Sequence, residues 1–368
     1  MSISFIHTAD IHIGKKFDTD LTPQESKVRR RELWETFDKI IELCIRNRVE
    51  FLFIAGDMTE AQYCKVEDIV RLVAKFEEAK ETQVVIVPGN KDPWTTHNLY
   101  KYMSWPPNVH WIDETNQVKE LHFEDKNLCV YSIGISSMEQ PNKRDCLYDV
   151  DVDVNRINVL LIHADVLEKD SGALRVDLNR ISGKFDYVAL GHVHQYAEIR
   201  DRIIYPGTPE PLDFTEKGQH GVVYGRLGKD NFEKMFVPVA KSRFITKEIF
   251  LQPEFSSEKI LDIIKYSGDY ISASKDYFKI ILTGSVNSGI DMDRLLNEAS
   301  NYFQHIGFEE NYLYDIHSDQ LPERQEDSLI GQYIKQYQEK GLKTLEMQKS
   351  FLLGLNLLME SKERSDDH

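Results

Sequence analysis

Positive charge is what this chain has too little of. Its 368 residues carry 45 lysines and arginines against 61 aspartates and glutamates, a formal net charge of −16. Affinity for a nucleic-acid backbone comes largely from lysine and arginine displacing counterions, so the chain as a whole repels DNA. Any polyanion must be held by a local basic patch, by bound cations or by a basic partner. Long apolar runs are also missing. None approaches the ~20 residues that span a bilayer, so no membrane association is expected, although the 41% apolar content is enough for buried cores. Cysteine is scarce: Cys44, Cys64, Cys129 and Cys146 show no CxxC spacing. That excludes a thiolate metal motif and fits a reducing, cytoplasmic setting. The opening MSISFIHTAD already reads as a strand and a motif, leaving no room for a signal peptide.

What is present is an ordered set of metal-ligand residues. Five apolar, β-branched runs, Ile3–Ile6, Phe51–Ile54, Val84–Val87, Val159–Ile162 and Tyr187–Leu190, read as buried parallel strands. Each is followed by candidate ligands: Asp10 and His12, Asp57 after Gly56, Asn90 after Gly89, His163, then His192 and His194 after Gly191. In open α/β sheets ligands bind beyond the carboxyl ends of strands, so segments remote in sequence converge on one crevice. A lone histidine or a Gly-Asp pair marks an ordinary core residue or turn. The joint order is what points to a metal centre.

Carboxylate and amide oxygens suit hard divalent ions and imidazole suits manganese, iron and zinc, so the mixed set favours transition metals over calcium. Seven side chains exceed what one small ion takes. Two ions ~3.5–4 Å apart would use them all and would clamp the attacking and leaving oxygens of an in-line phosphoryl displacement. Asp57 is the expected bridge.

The segments TADIHIG, IAGDM, VPGNKD, LLIHAD, ALGHVH and YPGTPEP resemble the successive motifs of calcineurin-like metallophosphoesterases. HTADIHIGKKFD and YPGTPEPLDFTEKG are most similar to the SbcD/Mre-type nucleases of double-strand-break repair. The resemblance implies a four-layer α/β sandwich, two central sheets flanked by helices, over residues 1–240. It further implies a small α/β capping domain at 241–318 that orients DNA, and a C-terminal helical segment at 319–368. By resemblance, Asp10, His12, Asp57 and His194 hold one manganese, and Asp57, Asn90, His163 and His192 the other. The implied activity is manganese-dependent exo- or endonucleolytic hydrolysis of DNA at its ends, in repair or phage defence. The implied partners are DNA, a second copy of the chain in a homodimer, and an SbcC/Rad-type coiled-coil ATPase gripped through residues 328–360.

The chain departs from that pattern at Gly89-Asn90-Lys91-Asp92, where the family has Gly-Asn-His-Asp. The catalytic set carried over is therefore Lys91, Asp92, His163 and Glu60, the last standing where some relatives have a second histidine. Lysine, with a reference pKa of ~10.4 against ~6.5 for histidine, stabilises phosphate charge but is a poor proton donor at neutral pH. A catalytically weakened protein that binds DNA ends as scaffold or regulator is the alternative. His97 is a candidate substitute for the missing histidine.

Elsewhere, helices are expected over 29–47 and 65–81, alternating with strands. Residues 105–155 suggest the short strands of a second sheet, with a polar loop at Asn142–Asp153. Lys15, Lys16, Lys27, Arg29, Arg30 and Arg31 form the one candidate basic patch. After residue 240 the pattern predicts strands at Arg243–Leu251, Tyr277–Thr283 and Tyr312–Ile316, with helices at Ser257–Ser267 and Asp291–Ile306. Beyond the polar linker Ser318–Asp327, Leu329, Ile330, Tyr333, Ile334 and Tyr337 form the stripe of an amphipathic helix. A second apolar stretch follows from Leu342 to Met359.

Overall fold

The computed structural model describes residues 2–366 apart from Asp20, His97, 136–144, 167–173, Ser182 and 317–327. Contacts divide the chain into two units, Met1–Arg243 and Phe244–His368.

The first unit is built on two six-stranded sheets. One has the order β12 (Phe232–Pro238), β11 (Gly221–Gly228), β1 (Ser2–Thr8), β2 (Phe51–Ala55), β3 (Gln83–Val87), β4 (Val109–Trp111). Its strands β1 to β4 are parallel, while β11 and β12 return antiparallel. The other has the order β5 (Lys119–Phe123), β6 (Leu128–Ser132), β7 (Ile157–His163), β8 (Tyr187–Gly191), β10 (Ile203–Tyr205), β9 (Ala197–Arg200). There β6, β7, β8 and β10 are parallel, with antiparallel edges at β5 and β9.

Successive side chains of a strand face opposite sides, and here both sides are covered. Phe5, Phe51, Phe53, Val85 and Val87 pack inward against Val130, Val159, Leu161 and Tyr187 of the second sheet. Ile6, Leu52, Ile54, Val84 and Ile86 face outward, against Phe37, Ile40 and Ile41 of α1 (Pro23–Asn47) and Ile69, Leu72 and Phe76 of α2 (Val66–Glu78). On the far side, Tyr131, Leu160, Ile162 and Leu190 pack under Leu147 of α3 (Asp145–Tyr148) and Ile181 of α4 (Leu178–Ile181). The result is the helix–sheet–sheet–helix sandwich expected, and it explains why the strands read as unbroken apolar runs.

α1 begins six residues earlier than the apolar periodicity predicts. Thr22 caps it, Glu25 closes a capping box, and Pro23 occupies the first turn, where its missing N–H costs nothing. This early start redirects Arg29. Its guanidinium is fully buried, donating to Glu32, to Glu210 Oε1 at 2.7 Å and to the Pro211 carbonyl. Arg29 therefore belongs to a buried ion-pair network, and the expected basic patch loses it. Arg31 pairs with Glu35, whereas Arg30 donates to the neutral Lys16 carbonyl and keeps its charge for the segment, beside Lys15, Lys16 and Lys27.

The second unit is a parallel three-stranded sheet, β13 (Phe244–Leu251), β14 (Tyr277–Asn287) and β15 (His305–Asp315). α5 (Ser257–Lys265), the single turn α6 (Tyr270–Ala273) and α7 (Met292–Ser300) accompany it, with Ile260, Ile264, Leu295 and Leu296 packed on Ile280 and Leu282. The predicted helix 291–306 ends at Ser300. Phe303 turns into the core instead, and His305 stacks on Tyr277 with centroids 4.0 Å apart, which starts β15 seven residues before the predicted strand. α8 (Leu329–Lys340) and α9 (Leu345–Asp366) form a hairpin around Ile334, Phe351 and Leu355. Gln348 fastens α9 to this unit, accepting from the Tyr314 N–H at 2.6 Å and donating to the Tyr314 carbonyl at 3.1 Å. Among the described residues no helix is long and apolar enough to cross a membrane.

Candidate metal centre

The parallel strands β1, β2, β3, β7 and β8 end at one edge of the sandwich, and their exits carry all seven candidate ligands. The loop after β1 is held beside that after β2: the Asp10 N–H donates to the Gly56 carbonyl and the His12 N–H to the Asp57 carbonyl, each at 3.0 Å. Asp10, His12, Asp57 and His192 all have positive φ, at 53°, 54°, 49° and 101°. Such conformations cost of order 1–3 kcal/mol each and persist only where the surroundings dictate them. Here they turn four side chains toward one point. Two glycines permit the convergence. A Cβ on Gly56 would stand 2.3 Å from His163 Nδ1, and one on Gly89 would stand 2.1 Å from Asp57 Oδ1.

Two groups of donors result. Donor atoms of Asp10, His12 and His194 lie within 4.8 Å of one another, and so do those of Asp10, Asp57 and His163. Asp57 Oδ2 stands between the histidines, 3.9 Å from His12 Nε2 and 3.5 Å from His163 Nε2. Asp10 Oδ1 is 4.0 Å from His194 Nε2 and 3.9 Å from His163 Nδ1. Asn90 Oδ1 is 2.8 Å from His163 Nε2, and the His192 ring lies edge-on to that of His163, centroids 5.3 Å apart. Atoms ~2.0–2.2 Å from a common ion stand roughly 3–4 Å apart, so the separations of Asp57 Oδ2 from His12 and His163 and of Asp10 Oδ1 from His194 suit shared coordination. Where Asp57 alone was expected to join the halves, Asp10 also touches both.

The polar atoms fit a cation. His12 donates from Nδ1 to Glu60 Oε1 at 2.9 Å, which leaves the lone pair of Nε2 buried and, among the described residues, without a hydrogen-bond partner. His163 spends Nδ1 on the Ala55 carbonyl at 2.9 Å, so its Nε2 lone pair faces the Asn90 oxygen. Burial pushes the Asp10 and Asp57 carboxyls above the usual range, since two buried negative charges lack sufficient compensation. Burial pushes His163 down, and burial with the neighbouring His163 pushes His192 down to about 4, so both imidazoles are neutral at pH 7. His194 moves the other way. Burial alone would lower it, but Glu216, Asp10 and Asp57 together raise it to about 9.

Residues 3–196 match the calcineurin-like phosphoesterase family. The chain belongs to that family. This phosphoesterase is similar, at 23% identity over 238 residues, to the uncharacterized metallophosphoesterase YhaO of Bacillus subtilis; the match covers 60% of this chain and 56% of that protein. The chain thus matches little more than half of that relative's length. Among solved structures it is similar to a dimetal phosphatase from Danio rerio (12% identity, 64% of this chain and 98% of that one, TM-score 0.40). It is similar also to a Thermus thermophilus protein (12% identity, 64% and 99%, TM-score 0.37).

The phosphoesterase arranges the expected catalytic set unevenly. Lys91 is exposed at the rim, its backbone N–H on Asp57 Oδ1 at 2.7 Å. Glu60 holds His12; burial would raise its carboxyl, but His12, with Lys15 and Lys91 nearby, draws it below the usual range. Asp92 is bound differently from the others. Its oxygens accept from the N–H of Gly89 at 2.7 Å, the N–H of Thr59 at 3.1 Å and the Tyr100 hydroxyl at 2.8 Å, so it is fully buried and committed to holding the Gly89–Asp92 turn. It positions Asn90 and Lys91. His97 lies outside the described residues.

Sequence reasoning passed over Glu216. Its Oε1 accepts from His194 Nδ1 at 2.6 Å, and its Oε2 accepts from the Thr208 hydroxyl at 2.7 Å and the Leu212 N–H at 3.0 Å. The only signal was its place in the closing segment YPGTPEPLDFTEKG. A further set of potential donors, Glu120, His122 and Cys129, lies on β5 and β6. Burial pushes the Cys129 thiol up to about 11, so it keeps its proton at neutral pH while no ion is bound, and Glu120 and His122 are exposed side chains.

Proposed function

We propose that this phosphoesterase hydrolyses phosphodiester bonds at DNA ends with two manganese ions, as the nuclease subunit of a complex with an SbcC/Rad-type ATPase. The observation that carries the hydrolytic reading is the pair of donor groups with Asp10 in both and Asp57 Oδ2 between His12 and His163. Asp10, His12, Asp57 and His194 would hold one ion, and Asp57, Asn90, His163 and His192 the other. When bound, such ions polarise the phosphoryl group and neutralise charge on the attacking and leaving oxygens. The mixed oxygen and imidazole donors favour manganese over calcium.

The protein supplies the rest. His163 and His192, both lowered by burial, would serve as neutral donors, while Lys15 and Lys91, both near Glu60, would meet the phosphates of a bound strand. The ATPase reading rests on the α8–α9 hairpin. Leu329, Leu353 and Leu357 remain 68%, 64% and 58% exposed beside a groove lined by Tyr333 and Gly354. Exposed apolar surface of this kind marks an interaction site, and a coiled-coil partner would cover it as well as supply affinity for DNA.

Lys91 favours a second reading, that of a weakened nuclease that binds DNA ends and regulates the ATPase. End-labelled duplex and single-stranded DNA, incubated with the chain in manganese, in magnesium and in chelator, tests both. Slow manganese-dependent cleavage abolished by chelator supports the nuclease. No cleavage by the chain or its Lys91→His variant, with DNA still bound, selects the scaffold.

A further inference from the structure

The two halves of the centre differ in what stands behind their imidazoles. His194 is held by Glu216, whose second oxygen is fixed by the Thr208 hydroxyl and the Leu212 N–H, so the carboxylate cannot turn away. Thr208 is itself tied down: the ring of buried His220 bonds through Nδ1 to its hydroxyl at 2.8 Å and its carbonyl at 3.0 Å. His12 is held by Glu60, and the His12 and His194 rings meet edge-on, centroids 5.0 Å apart. On the other side His163 donates to the neutral Ala55 carbonyl, and Asp165 acts on the His192 imidazole through space. A carboxylate behind a ligand imidazole fixes its tautomer and raises its basicity, and losing such a partner typically costs 10–100-fold in metal affinity.

We propose that Glu216, assisted by Glu60, makes the centre asymmetric: the half built on His12 and His194 takes its ion first and holds it tighter than the half built on Asn90, His163 and His192. This rests on the two-ion reading above. Glu216 and Glu60 are positioning residues, acting through histidines. Glu216 is the stronger because three hydrogen bonds fix it, whereas the Glu60 side chain is partly exposed.

The test is a manganese titration of the full chain after chelator stripping, with free ion followed by its paramagnetic resonance signal. The wild-type chain should show two classes of site. Glu216→Gln places an amide where one of the His194, Thr208 and Leu212 bonds must fail, and should weaken the tighter class ~10–100-fold while leaving the weaker class in place. Glu60→Gln should shift the same class less. Thr208→Val removes one of the bonds that fix Glu216 and a 3.4 Å hydroxyl contact to the His194 carbonyl, but leaves every ligand side chain in place; it should fall between them and serves if Glu216→Gln does not fold, as judged by thermal unfolding in chelator. A loss confined to the weaker class, an equal loss in both, or no loss overturns the proposal. A single class in the wild-type chain overturns the two-ion reading and the filling order together. Glu216→Gln then still decides the positioning role by whether that one class weakens.

Discussion

The backbone N–H of Lys91 donates to Asp57 Oδ1 at 2.7 Å, which leaves Asp57 Oδ2 turned toward His12 and His163. Residue 91 thus orients Asp57 through its main chain, whatever side chain it carries. The exposed lysine side chain is separable from the metal centre.

Lys91→His should accordingly leave metal content unchanged. The reaction should quicken, because an imidazole can move a proton near neutral pH where an ammonium mainly supplies charge; a positioned acid–base group is worth ~10²–10⁴-fold. Cleavage rates under saturating DNA and manganese, beside metal analysis of both proteins, check this. A slower Lys91→His variant would make lysine the adapted residue.

Asp10 touches both donor groups, and its carboxyl is raised by burial. A carboxyl raised on folding favours the folded state while protonated, and that contribution is lost as pH rises through its folded value. Above that value the ionised group costs stability in metal-free protein. Asp10→Asn mimics the protonated form and still offers an oxygen to the His192 N–H that Asp10 accepts at 3.0 Å. In chelator, Asp10→Asn should melt higher than wild type, yet with manganese it should gain little where wild type gains much. Calorimetric melting with and without metal reads both signs.

The sandwich was legible because β1, β2, β3, β7 and β8 are covered on both faces and read as unbroken apolar runs. The seven candidate ligands were legible because each directly follows such a run. What sequence could not show was partnership. Asp92 and Glu60 look alike as acids near the motifs, yet one closes a turn on Gly89, Thr59 and Tyr100 and the other orients His12. Arg29 read as a solvent-facing cation until the capping of α1 turned it inward to Glu210, 181 residues away. Glu216 lies 22 residues beyond His194, with no local pattern joining them.

His7 gives the fold a defined acid sensitivity. It is fully buried on β1, its Nε2 donating to the Leu190 carbonyl at 3.1 Å and its Nδ1 accepting from the Tyr187 hydroxyl at 2.9 Å. Burial lowers it to about 3, against an ordinary value of 6.5. Below pH 6.5 the unfolded chain takes up a proton that the folded chain refuses, so stability falls as pH drops from 6.5 toward 3, by up to ~1.4 kcal/mol per pH unit. In chelator, so that metal loss does not contribute, the denaturant midpoint should fall across that window. His7→Gln should lower stability at pH 7 and flatten the acid slope. An unchanged slope would place the sensitivity elsewhere.

The stripe on α8 separates into two roles. Ile334 is only 1% exposed and packs with Phe351 and Leu355 inside the hairpin, whereas Leu329 on the same helix and Leu357 on α9 stand open. Ile334→Ala should therefore destabilise the second unit by ~2–5 kcal/mol, as expected when a buried isoleucine leaves a cavity. It says little about docking. Leu329→Glu with Leu357→Glu changes only exposed side chains, so melting should shift little, while charge placed on an apolar contact should abolish capture of a coiled-coil ATPase expressed with the chain. Metal content and hydrolysis of a small phosphodiester should persist in that variant, since the first unit carries the centre. If the double variant still retains the ATPase through gel filtration, the hairpin is not the docking element, and its leucines are ordinary surface residues.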